Sequence, residues 1–159
     1  MSNTYQNKGH GNNQGYQDRN NQFKTVVDML KDGYLQNGYY VDEEKEKRNK
    51  DYIIKIAKEI AKSLEDEGKG QKNNSSQIRK FYDYCLRVQA KLQSKNNDYS
   101  YIEADVARLR PTVAYAKGRG VVTKCLEDFI NANIEKINDA KDYYAFMKHF
   151  EAVIAFMKK

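Results

Sequence analysis

From about residue 51 to the C-terminus, apolar side chains return every three or four positions, and no useful stretch alternates apolar and polar residues. A helix turns about 100° per residue, so this spacing gathers the apolar set on one face; a half-buried strand would need a period of two. A single proline in 159 residues leaves the pattern almost uninterrupted. The chain therefore reads as all-α, a compact bundle of about five helices. Its length suits one domain, assigned to residues 23–159. Residues 1–22 are nearly all Asn, Gln, Gly, Tyr, Ser and Asp with a few cations. They have too little to bury to offset the entropy of ordering, so they read as a disordered polar tail. Its Tyr5 and Tyr16 could brush RNA weakly or favour self-association; the plainer reading is a solubilising tail.

Within the domain, residues 23–35 carry a short amphipathic pattern of Val26, Val27 and Leu30. Tyr39, Tyr40 and Val41 form an apolar patch expected to pack on the helices, and residues 42–50 read as a solvated charge run. The first long helix, residues 51–67, places Ile53, Ala57, Ile60 and Leu64 at i, i+4, i+7, i+11 and ends at Gly68 and Gly70. After a polar loop whose Asn74 to Ser76 can cap the next helix, residues 77–93 show Ile78, Phe81, Tyr82, Cys85, Val88 and Leu92 on one arc. Ser100 and Glu103 have capping-box spacing. Ile102, Val106, Leu109 and Val113 then recur, and Pro111 either kinks a continuous helix or sits in the first turn of a new one. Gly118 and Gly120 close that element. Residues 122–137 are amphipathic through Val122, Leu126, Phe129, Ile130 and Ile137. Asn138 or Asp139 caps a last helix whose core face is Tyr143, Phe146, Met147, Phe150, Ile154 and Met157.

The net charge of +6 has an address. Between residues 76 and 124 lie ten Lys and Arg against four acids, which is the whole excess; the rest of the chain is neutral. Five of the seven arginines fall there, and the planar guanidinium suits phosphate. Lys80, Tyr84, Arg87 and Lys91 stand at i, i+4, i+7, i+11, on a stripe opposite the apolar arc, with Arg79 to one side. A basic face with an aromatic among its cations suits a phosphate-tracking, sequence-indifferent nucleic-acid surface. The plainer reading is an ordinary solvated helix face. Lys117-Gly118-Arg119-Gly120 forms a second cluster, where a glycine C-cap with dipole-compensating cations accounts for the residues equally well.

Catalytic chemistry has little to work with. His10 lies in the tail, and His149 has no carboxylate or serine assignable to it, so it reads as a packed or surface histidine. Cys85 and Cys125 with one ordered histidine fall short of a zinc site, and their separation favours a reduced, cytoplasmic setting without a disulfide framework. The runs Asp42-Glu43-Glu44 and Glu65-Asp66-Glu67 are flanked by lysines and read as solvated helix surface rather than a Mg²⁺ site. No Walker loop, dinucleotide fingerprint, secretory signal or membrane-length apolar run is present. No cofactor is expected.

The segments SSQIRKFYDYC (residues 75–85), LRPTVAYAKGRG (residues 109–120) and HFEAVIAFMKK (residues 149–159) resemble, in this order, the hallmark segments of one family. It is the small subunit of the type III-A CRISPR interference complex, the Csm-type effector. The resemblance covers roughly residues 39–159. It departs in the long polar start, in His149 where an aromatic is common, and in Lys117 where a small residue is common. It implies a five-helix, non-catalytic subunit, several copies of which stack in a filament beside the backbone and large subunits. Its basic face would line the channel where guide RNA and target RNA pair. Carried over by position, the RNA-binding candidates are Arg79, Lys80, Lys117 and Arg119. Arg87 and Lys91 come from the stripe alone, while Tyr82 and Tyr115 read as packing residues. The alternatives are a helical scaffold whose basic face meets an acidic protein partner without RNA, and an uncharacterised ribonuclease.

Overall fold

The structure is a computed structural model that describes residues 24–70 and 74–157; the expected tail, residues 1–22, lies outside them. The α-helices among the described residues are α1 (Val26–Lys31), α2 (Lys55–Glu67), α3 (Asn74–Ser94), α4 (Glu103–Ala107), α5 (Leu109–Gly118), α6 (Lys124–Ile134) and α7 (Ala140–Phe156), with short 3-10 turns at Lys50–Tyr52 and Tyr99–Tyr101. The fold is all-helical, as the periodicity requires. Five of these helices reach ten residues, the number expected, and α1 and α4 are short additions. Among the described residues the one ladder-like feature is an isolated antiparallel bridge between Tyr40 and Arg48.

Helix boundaries have local causes. Thr25 and Asp28 form a reciprocal capping box at α1, each side chain accepting from the other's backbone N–H at 3.1 Å. Thr123 caps α6 by accepting from Leu126 N–H, and Asp139 caps α7 by accepting from Asp142 N–H at 2.9 Å. Pro111 is the third residue of α5, so it opens a new helix, where its missing N–H falls among donors that have no intrahelical partner anyway. The expected box at Ser100 and Glu103 does not form. Asp98 accepts from the Ser100 N–H and hydroxyl instead, capping the 3-10 turn, and α4 starts without a side-chain cap. Nor does Asn74 serve α3: its side-chain amide donates to Leu64 C=O at 3.2 Å and so closes α2. A Cβ on Gly68 would lie 2.2 Å from that amide, which makes the close approach of Asn74 dependent on glycine.

The last helix, α7, packs on α2 and α3, while α6 packs on α5 and also meets α1 and α2. Tyr143, Phe146, Phe150 and Val153 are fully buried against Ala57, Ile60, Leu64, Ile78, Cys85 and Leu92 in one core cluster. Some expectations shift. α1 buries Val26 and Met29, leaving Val27 and Leu30 on its outer side. Ile53 precedes α2 and is exposed, with Ala61 completing that helix's core face. Tyr39 is buried and Tyr40 half-buried, but Val41 faces solvent. The charge run is not wholly solvated, because Lys45 reaches Asp139 at 2.6 Å and the buried Asp142 at 3.0 Å, tying residues 42–48 to the start of α7.

The core contains one polar chain. His149 Nδ1 donates to Tyr52 C=O at 2.6 Å, since a carbonyl can only accept; Nε2 therefore accepts from the Tyr34 hydroxyl at 2.7 Å. The Tyr34 oxygen accepts from the Asn133 amide at 3.0 Å, and Asn133 also donates to Phe129 C=O and accepts from Tyr39 at 2.7 Å. Tyr52 accepts from Leu35 N–H at 2.8 Å, holding Leu35 at φ 67, an uncommon conformation for a branched residue. Burial pushes the Tyr34 and Tyr39 hydroxyls well above their usual pKa and lowers His149 to about 4.

Candidate nucleic-acid interface

Helix α3 buries Ile78, Phe81, Cys85, Val88 and Leu92 and turns Lys80, Arg87 and Lys91 outward, with Tyr84 half-buried beside them. The stripe exists as the spacing requires, but its members differ. Tyr84 is not a free ring: its hydroxyl donates to Asp105 C=O at 2.8 Å, and Arg87 lies 5.9 Å from its centroid. Burial, then the Asp105 carboxylate, raises the Tyr84 pKa, while Arg108 and Arg87 oppose them. Lys91 pairs with Asp105 at 2.9 Å. With both partners substantially exposed, that pair is worth about 0–1 kcal/mol, yet it compensates part of the Lys91 charge.

A second stripe emerges on α5. Arg108, Thr112, Tyr115 and Arg119 recur at i, i+4, i+7, i+11, and all four are exposed. Arg108 continues directly into α5, since Thr112 N–H and hydroxyl both bond its carbonyl. Arg108 opposes the rise of the Tyr84 pKa, and the Tyr84 hydroxyl bonds Asp105, three residues before it. The structure thus gathers Arg87 and Lys91 around Tyr84 and Asp105, with Arg108 following in the next turn of chain. Arg79 and Lys80 lie about 10 Å further along α3, and Arg119 about 16 Å along α5 from Arg108, at 1.5 Å per residue. Lys117 is half-buried near the end of α5, and the Arg119 guanidinium lies 5.6 Å from the centroid of Tyr115.

Of the ten central cations, Lys91, Arg110 and Lys124 are ion-paired, to Asp105, Glu135 and Asp128. Arg79, Lys80, Arg87, Lys95, Arg108, Lys117 and Arg119 make no ion pair among the described residues. Their charge is available to an outside anion.

Sequence reasoning did not single out Arg108, whose phase relative to α3 depends on the turn between them. The 108–119 spacing carried the signal once Pro111 is placed in a first turn. Tyr115 is also corrected, for it is 68% exposed rather than packed. Tyr82 does pack, edge-on to Phe150 with ring centroids 5.2 Å apart.

The described histidine and both cysteines are buried in the core. His149 uses both ring nitrogens inside the core, with no carboxylate among their partners. Cys85 and Cys125 are free and buried, and burial pushes both thiols up to about 12. Among the described residues no three His, Cys, Asp or Glu are grouped to hold a metal ion, and no helix is long and apolar enough to cross a membrane.

The family described as Csm2 Type III-A matches residues 47–159. No curated protein and no solved structure matches the chain. The chain belongs to the Csm2 Type III-A family, a structural small-subunit family of the type III-A CRISPR complex.

Proposed function

We propose that this Csm2-family chain is a non-catalytic, RNA-contacting small subunit that stacks in several copies along the channel where guide RNA and target RNA pair, in antiviral defence. The observation that supports this reading best is the set of exposed cations without ion pairs on α3 and beside α5, Arg79, Lys80, Arg87, Arg108 and Arg119. Such a surface neutralises phosphates without reading bases, so affinity is salt-dependent and sequence-independent. Pairing between guide and target reads the sequence, and the protein holds backbone and shape. One copy offers only a few cations; repeated copies supply avidity. The partners are guide and target RNA backbones, the backbone and large subunits, and further copies of the chain. No membrane is involved, and the setting is the cytoplasm.

The test is charge reversal by Lys80→Glu with Arg87→Glu in the assembled complex. Target RNA binding should weaken about tenfold or more, with a shallower salt dependence and an intact fold. Loss of assembly with unchanged RNA affinity would establish the scaffold alternative instead. Metal-dependent RNA cutting by the purified chain, abolished by changing one acidic residue, would refute the non-catalytic assignment.

A further inference from the structure

Tyrosine is abundant in this protein, and the described tyrosines divide sharply. Tyr34, Tyr39, Tyr40, Tyr52, Tyr82, Tyr84, Tyr99, Tyr143 and Tyr144 each place the hydroxyl on a protein partner. Tyr101 and Tyr115 have no hydrogen bond among the described residues, and they are 53% and 68% exposed. Each carries a cation over its ring: Lys95 at 5.0 Å from Tyr101, and Arg119 at 5.6 Å from Tyr115. An exposed ring with a cation over one face, rather than anchored by its hydroxyl, leaves the other face for something outside the chain.

Tyr115 stands in the better setting. It lies on the Arg108–Arg119 stripe, whereas the half-buried Lys117, two residues on, falls on the other side of α5. A Cβ added at Gly118 or Gly120 would meet nothing within 4 Å, so the end of α5 is uncrowded. Arg108 and Arg119 flank the ring along the stripe, and neither makes an ion pair among the described residues. This is the pairing of π-face and positive charge that takes a nucleobase with its phosphates.

We infer that Tyr115 is a stacking platform for an unpaired RNA base, with Arg119 holding the ring and Arg108 taking a flanking phosphate. The inference rests on the RNA-contacting reading above and adds a contact that charge alone does not supply. A base stacks on the tyrosine face without hydrogen-bond readout, which preserves indifference to sequence.

The experiment uses the assembled type III-A complex carrying Tyr115→Leu, Tyr115→Phe or Tyr115→Trp, with target RNA labelled at successive positions by 2-aminopurine. Tyr115→Leu should weaken RNA binding about tenfold, about 1.4 kcal/mol, within the range for base–aromatic stacking. The salt dependence should not change, because no charge is lost. The Phe and Trp variants should restore affinity, and 2-aminopurine fluorescence should rise at the stacked position only in the Leu variant. Unchanged RNA affinity for Tyr115→Leu would overturn the inference, as would loss of assembly, which would make the ring a protein contact. If Lys80→Glu with Arg87→Glu weakens binding while Tyr115→Leu does not, stacking alone fails. If neither variant changes RNA affinity, the RNA reading fails with it.

Discussion

Around His149, Tyr34, Tyr39 and Tyr52 bond their hydroxyls within the protein, whereas on α5 Tyr115 leaves its hydroxyl to solvent and shares its ring with Arg119. The two regions use similar residue types to opposite ends. In the first, three tyrosines, an asparagine and a histidine join segments up to 115 positions apart, and each ring nitrogen has a protein partner. A buried group that loses such a partner keeps its desolvation cost, so changes there read out as stability. In the second, cations and one ring stand in solvent with little to lose on truncation. Changes there read out as binding.

The strongest attempt to break this division is His149→Ala. It opens a cavity, leaves the Tyr34 O–H without its acceptor and leaves the Tyr52 carbonyl without its donor. Thermal or denaturant unfolding should show a loss of about 3–4 kcal/mol; a loss below about 1 kcal/mol would mean the polar chain is not structural. The acid side of the wild type comes next. His149 titrates near 4 when folded and near 6.5 when unfolded, so the unfolded state binds the extra proton between those values. Stability from this group is complete above pH 6.5 and falls as the pH drops towards 4, by on the order of 3 kcal/mol. His149→Phe should flatten that slope in unfolding curves recorded from pH 7 to 4.5, and an unaltered slope would place the titrating group elsewhere.

On the exposed side the expectation reverses. Lys80→Glu with Arg87→Glu should leave unfolding within about 0.5 kcal/mol of wild type while weakening RNA binding by the complex. A stability loss comparable to that of His149→Ala would erase the contrast. The smallest effect is expected from Asp105→Asn, which keeps the backbone carbonyl that holds Tyr84 but releases Lys91. Filter binding at low salt should show RNA affinity rising about two- to threefold, in keeping with the modest worth of an exposed pair.

Much of this architecture was legible in local spacing. The long helices, the glycine-ended turns, the α3 stripe and the central location of the charge all arise from residues within a few turns of one another. What local pattern cannot carry is the partner of a side chain distant in sequence. Asn133 reads as a polar residue in an amphipathic helix, yet it is fully buried because Tyr34 and Tyr39 return to meet it. Lys45 sits in an evident charge run, but its carboxylate partners come from the start of α7. The same limit hid Arg108, since the turn after α3 sets where α5 points. Asp98 defeated the Ser100 capping box for a different reason: a short carboxylate two residues away competes for the same N–H.

The two cysteines have a practical consequence. Cys85 and Cys125 are the chain's only thiols, and burial with a pKa of about 12 keeps them protonated and shielded from alkylating reagents at neutral pH. The native chain is thus already silent towards maleimides. Ala114→Cys, at an exposed position beside Tyr115, gives a single labelling handle on the face in question, and no native cysteine has to be removed to attach a dye or crosslinker there.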